Sequence, residues 1–335
     1  MHCLKKNICI DIARFIIEHN IQCSVLNGVD PDFGKIGRDL DLYVPSENER
    51  IKLIIFSHSL LKRYGARWVV TMHPIWGDRC VGVWNNDYFY FELHTISSVN
   101  LGPVVASRVF GIAGKTGAYG LPFSPGMMFF KQVLNKKMRA ILNGYSLWDT
   151  DMPSKFLLEN RDSLYQGVAP FVCNGKKFIN ALLGEDSNGH KKLRRVGLIS
   201  IIFRFIAAHP IEAFNSQIRS FVKKIISYFS PCAPSVSLNT TLSVCEVEKH
   251  LTQKLLGVFP KIIVTHSSYS WAFRKWMQAR QQLFVFVANP GKKCGFAVDL
   301  QADIGALSNT DKELKIFCDL IMDKMLEMNA KWAKS

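Results

Sequence analysis

Two carboxylates two residues apart open the reading: Asp39 and Asp41, in Gly37-Arg38-Asp39-Leu40-Asp41-Leu42-Tyr43-Val44. In a strand, alternate residues face the same side, so both carboxylates share one face and Leu40, Leu42 and Val44 share the other. Paired acidic oxygens at a strand mouth make a hard-donor site suited to Mg²⁺. Such a pair can hold one ion and share a second, as two-metal phosphoryl and nucleotidyl transfer requires.

Positioning these residues needs elements on both sides. Leu4 to His19 reads as an amphipathic helix, with Ile8, Ile12, Phe15 and Ile16 on one stripe. Cys23 to Leu26 reads as a short buried strand, ended by a tight turn at Asn27-Gly28. Pro45 and Ser46 start a helix through about Tyr64. Arg67 to Met72 and Asp78 to Trp84 read as strands, and Asn85-Asn86-Asp87 as a turn into Tyr88-Phe89-Tyr90-Phe91-Glu92-Leu93-His94.

The order helix, strand, small-residue turn, loop and Asp-x-Asp strand resembles the DNA polymerase β superfamily of nucleotidyltransferases. The matching residues are Val25-Leu26-Asn27-Gly28-Val29-Asp30 and Asp39-Leu40-Asp41-Leu42-Tyr43-Val44. The resemblance implies an α/β (α+β) fold: an N-terminal mixed sheet with flanking helices, then a helical middle region and a small C-terminal α/β unit. It implies a third carboxylate on a later strand, as general base or metal ligand, and Glu92 is the candidate. Asp39, Asp41 and Glu92 would then hold two Mg²⁺ ions, while Asn27 and Gly28 would bind phosphates of an NTP donor. Arg38 is a further candidate for phosphate binding, and Lys131 for contact with the triphosphate. Three departures stand out: Val29 replaces the usual serine after glycine, Arg38 precedes the first aspartate, and the third acid is glutamate.

A glycosyltransferase Asp-x-Asp is the rival for the motif. There the apolar run leads into the acids; here it follows them, which favours nucleotidyl transfer. Gly114-Lys115-Thr116 lacks the upstream glycine of a Walker motif and no clear strand leads into it.

The chain has 335 residues, enough for more than one core. Its 48% hydrophobic content argues against disorder. No apolar run reaches bilayer-spanning length, and Asp11 and Arg14 interrupt the N-terminal apolar residues, so a cytoplasmic protein is expected. Nine cysteines without a Cys-x-x-Cys pair read as reduced, mostly buried thiols. A net charge of +15 predicts an anionic partner: a nucleotide, nucleic acid, phosphorylated glycan or anionic membrane.

The expected domains are 1–145, nucleotidyltransferase-like; 146–230, helical and basic; and 231–335, α/β. Pro125 to Asn143 reads as a helix carrying Lys131. Apolar helices flanked by Lys191 to Arg195, Arg219, Lys223 and Lys224 suit a peripheral membrane contact across 191–229. Ser230 to Pro234 reads as a linker. Strands are expected at Ser235 to Leu238, Ile262 to Val264 and Leu283 to Val287, and helices at Val244 to Leu256 and Thr310 to Trp332. This layout resembles bacterial surface-polysaccharide proteins that join a nucleotidyltransferase-like domain to a thymidylate-kinase-like one. Leu238-Asn239-Thr240-Thr241-Leu242-Ser243 stands where the kinase phosphate loop would fall, without glycine or lysine, so that domain is read as degenerate. Three functions follow: transfer of an NMP group from an NTP to an acceptor in lipopolysaccharide or capsule synthesis; a non-catalytic membrane-peripheral scaffold of a glycan assembly system; and nucleotide addition to RNA.

Overall fold

The first helix, α1 (His2–Glu18), buries Ile8, Cys9, Ile12, Ala13 and Ile16, a spacing that places them on one stripe. The computed structural model describes residues 2–31, 34–72, 78–84, 87–94, 115–129, 155–183, 191–229, 233–255, 258–259, 261–267, 269–279, 282–288, 298–303 and 310–330. Helices and mixed sheets make this an α/β protein.

After α1 come β1 (Ser24–Val29) and β2 (Ile36–Tyr43), paired antiparallel. Helix α2 (Glu47–Arg63) follows, with Ser46 Oγ accepting the Glu49 N–H at 3.4 Å. Its acids, Glu47 and Glu49, lie in the first turn and Lys62 and Arg63 in the last, complementing the helix dipole. Strands β3 (Trp68–Met72), β4 (Asp78–Trp84) and β5 (Asp87–His94) complete a five-stranded sheet of order β1-β2-β5-β4-β3.

Contacts divide the chain into two compact units, each made of two segments. One comprises Met1–Leu53 and Phe91–Ser220. In it, β6 (Lys115–Thr116) and β7 (Pro122–Phe123) form a small hairpin, followed by α3 (Pro125–Phe129). The Ser124 N–H donates to buried Ser24 Oγ at 2.9 Å, which ties this segment to β1. Helices α4 (Lys155–Glu159), α5 (Arg161–Val168), α6 (Gly175–Leu183), α7 (Lys191–Ala208) and α8 (Pro210–Phe229) supply the expected helical region. Helix α3 packs on β1, α4 and α5; α5 packs on α6, and α6 on α7.

The other unit comprises Ile54–Tyr90 and Phe221–Ser335. Its sheet pairs β8 (Ser235–Asn239), β9 (Ile262–Thr265), β10 (Leu283–Ala288) and β11 (Leu300–Asp303), all parallel, in the order β11-β8-β10-β9. Helices α9 (Val244–Leu255), α10 (Trp271–Ala279) and α11 (Thr310–Asn329) pack around it. The core joins Val70, Met72, Val81 and Val83 of β3 and β4 to Leu238, Val285, Phe317 and Ile321. Arg67 adds a 2.7 Å ion pair to Asp319 on α11. Helix α10 and strand β11 add to the expected elements.

Candidate functional site

The central strand β2 buries both its faces from Leu40 onward, so exposure does not alternate along it as the sequence pattern predicts. Leu40, Leu42 and Val44 are fully buried, the apolar side of the strand. Asp39 is half-buried, whereas Asp41 is only 3% exposed. Strand β2 lies between β1 and β5, so the two aspartates sit inside the sheet rather than on a free edge.

Strand β1 corrects the expected turn. It does not end at Leu26: it runs through Asn27 and Gly28 to Val29. The reversal falls later, where the Asp30 N–H donates to Lys35 O at 2.9 Å and the Gly34 N–H to Asp30 O at 3.0 Å. The Tyr119 hydroxyl also donates to Gly34 O, pinning this reversal from another part of the unit.

The correction matters because of register. Val25 pairs with Leu42, but Asn27 pairs with Asp41, so β1 carries one extra residue, Leu26, over that step. Without this bulge, Leu26 would stand opposite Asp41 and Asn27 opposite Leu40. A bulge re-aims the side chains that follow it. Directly opposed residues of an antiparallel pair share a face, with Cβ atoms about 4.5–5.5 Å apart. Asn27 therefore joins Asp41 on the carboxylate face, while Val25 stays with Leu42 on the apolar face.

Gly28 is also explained by proximity. Its φ is +95°, and a Cβ there would stand 1.9 Å from the Asp39 carbonyl oxygen. Gly37 lies beneath the carboxylate itself: a Cβ there would be 3.4 Å from Asp39 Oδ1 and 3.4 Å from the Gly28 carbonyl oxygen. The two glycines let the β1 backbone approach Asp39 directly.

Glu92 lies on β5, the neighbour of β2. Phe89, Phe91 and Leu93 are fully buried, and Glu92, between the last two, is half-buried, so this strand alternates where β2 does not. Arg38 is exposed immediately before Asp39, and Asn27 is exposed on β1. Lys131 lies outside the described residues. Among the described residues, no three His, Cys, Asp or Glu side chains form a metal-ligand group.

Lys115 and Thr116 belong to the β6–β7 hairpin, and the Lys115 ammonium donates to Asn160 Oδ1 at 2.6 Å. After β8, only residues 240–243 precede α9. The Thr240 hydroxyl oxygen accepts the Leu242 N–H at 3.1 Å. Ser243 and Glu246 cap each other: the Ser243 N–H donates to Glu246 Oε2 at 2.9 Å, and the Glu246 N–H to Ser243 Oγ at 3.3 Å. A carboxylate thus occupies the start of α9, where a phosphate loop would place an anion. The Ser243 hydroxyl also donates to Glu246 Oε2 at 2.7 Å, and this bond, then that from the Ser243 N–H, holds the Glu246 carboxyl below its ordinary pKa.

No family model matches the chain, and neither a curated protein nor a solved structure does. Among the described residues, no helix is long and apolar enough to cross a membrane.

Proposed function

We propose that this chain is a Mg²⁺-dependent nucleotidyltransferase, similar to DNA polymerase β-like enzymes, that moves an NMP group from an NTP to an anionic acceptor in the cytoplasm. A phosphorylated glycan of lipopolysaccharide or capsule synthesis is the proposed acceptor class. The observation that carries the reading is the Leu26 bulge, which sets Asn27 opposite Asp41 and leaves Gly28 against the Asp39 backbone. That places two hard oxygen donors, a side-chain amide and a glycine approach around one strand pair.

Asp39, Asp41 and Glu92 are hard oxygen donors of the kind Mg²⁺ takes, on adjacent strands, but they do not stand as one three-ligand group, and Asp41 is buried while Asp39 and Glu92 are half-buried. Asp39, Asp41 and Glu92 would hold the ions, which when bound supply charge neutralisation at the triphosphate. Asn27 and Arg38, both exposed, would bind phosphate oxygens and orient the donor. Glu92 would accept the proton of the acceptor hydroxyl as its oxygen bonds to the α-phosphorus, while the bond from that phosphorus to the β-phosphate oxygen breaks and pyrophosphate leaves. Gly28 would offer its backbone to the phosphates, while its missing Cβ makes room for the Asp39 carbonyl. Catalysis would rest on positioning and charge rather than on a covalent intermediate.

A second reading, a binding or scaffold role for the C-terminal unit, is favoured by the Ser243–Glu246 cap at the start of α9. It is compatible with nucleotidyl transfer by the other unit.

Calorimetry of the four NTPs and dTTP, with and without Mg²⁺, tests the proposal. Metal-dependent binding of at least one nucleotide, abolished in Asp39→Ala/Asp41→Ala, is expected. Absence of binding to any of them by the folded protein, or binding retained in the double variant, would overturn it.

A further inference from the structure

Helix α7 is apolar on two opposite sides. On one side Gly197, Ile201 and Phe205 are buried, and Gly197 packs against Phe178 of α6. On the other, Ile199, Phe203 and Ile206 are exposed, spaced by four and three residues, so they form one line along the helix. Phe203 is 68% exposed. The part of helix α8 in the same unit repeats the pattern, with Ile211, Phe214 and Ile218 exposed at spacings of three and four. Ile211 is 75% and Phe214 66% exposed. Isolated exposed apolar residues are ordinary, but two consecutive helices that each display a continuous stripe mark an interaction surface.

Charge selects the occupant. Between Lys191 and Phe229 the sequence holds eight Lys or Arg residues against one acid, Glu212. The line of Ile206, Phe203 and Ile199, continued by helical spacing, reaches positions 195 and 192, which are Arg and Lys. On α8, Arg219 follows Ile218 and by the same spacing falls beside the apolar stripe rather than on it. A second copy of the chain would bring the same positive charge against itself. An anionic bilayer takes both features at once, apolar side chains entering the acyl boundary and cations meeting the headgroups. Neither helix is long and apolar enough to cross, so each would lie in the interface.

We propose that α7 and α8 form a peripheral docking surface for an anionic lipid bilayer, entered by Phe203, Ile211 and Phe214. Vesicle flotation of the full chain tests it, comparing phosphatidylcholine alone with phosphatidylcholine containing about a third phosphatidylserine. Flotation with the anionic vesicles only, weakened by salt, is expected. Phe203→Ser/Phe214→Ser should weaken it at least about tenfold, since both residues are apolar anchors at exposed positions where the fold tolerates serine. Lys192→Gln/Arg195→Gln should also weaken it. Circular dichroism confirms that each variant is folded. No flotation at low salt, or flotation unchanged in the folded Phe203→Ser/Phe214→Ser variant, would overturn the proposal. So would sedimentation showing a dimer that this variant dissociates, which assigns the surface to a second copy. Release of the protein from vesicles by RNA competition that leaves the apolar variants unaffected would assign the basic residues to nucleic acid and overturn it as well.

Discussion

Gly28→Ala probes the site through its backbone. The new Cβ would stand 1.9 Å from the Asp39 carbonyl oxygen, where real Cβ atoms keep at least 3.0 Å, so β1 and β2 must part by about 1 Å. The φ of +95° adds backbone strain of about 1–3 kcal/mol for a residue with a side chain. Overpacking against a strand that cannot yield adds about 1–3 kcal/mol more. Together the cost is about 2–6 kcal/mol, concentrated on the β1–β2 pair. Because the chain divides into two compact units, one global unfolding energy would blur it. Native-state hydrogen exchange reads it locally. Amides of 40–43 in β2 should lose protection at least about thirtyfold, the equivalent of 2 kcal/mol, while those of β10 (Leu283–Ala288) stay unchanged. Equal protection of β2 in Gly28→Ala and the parent would refute the close approach of Gly28 to Asp39. A loss shared equally by β10 would refute its local character.

Three further outcomes are expected. His58 Nδ1 lies 3.0 Å from Thr71 Oγ1, and burial, then Lys62, hold its pKa below the ordinary value. The unfolded chain then binds a proton that the folded chain refuses, so His58 adds stability above about pH 6.5 that is lost as pH falls below it. His58→Gln should flatten the stability profile between about pH 5 and 7, and an unchanged slope would contradict this. Burial pushes the thiols of Cys9, Cys23, Cys80 and Cys318 up to about 12, whereas Cys3, Cys173 and Cys245 are exposed. Brief alkylation mapped by mass spectrometry should therefore label the second group and spare the first until denaturant is added; early labelling of Cys23 or Cys80 would be inconsistent with their burial. Ser243→Ala removes a helix cap and should cost about 0.5–2 kcal/mol, read by chemical denaturation; an unchanged midpoint would show that the Ser243–Glu246 cap contributes nothing.

Much of the architecture was legible because apolar spacing writes it directly. Leu283 to Val287 is a run of five apolar residues and becomes β10, and the stripe of Ile8, Ile12 and Ile16 becomes the buried side of α1. Leu40 and Leu42 were legible as core residues for the same reason, whereas the burial of Asp41 between them was not. Nor was the bulge. Asn-Gly is a strong turn signal by itself, and only pairing with β2 reveals that the chain remains extended there. Asp30-Pro31 and Gly34, a few residues on, hold the competing turn signals, and they prevailed. Strand β11 was missed because Leu300-Gln301-Ala302-Asp303 has little intrinsic preference for a strand and draws its form from parallel pairing with β8. Helix α10 is only nine residues long and mixes Arg, Lys and Gln with its apolar positions, so its period is weak.

The shared core of β3, β4 and the C-terminal sheet has a consequence for synthesis. Val70, Met72, Val81 and Val83 leave the ribosome well over a hundred residues before Leu238, Val285 and Phe317, which share their core. Their apolar face must therefore wait while the intervening residues are made, a long-range closure of the kind that slows folding and invites aggregation. A ribosome stalled before Ser235 would carry a nascent chain with that face still open, whereas emergence of the chain through Asn329 would let it close. Chaperone capture should accordingly peak on chains of intermediate length and fall once α11 has emerged.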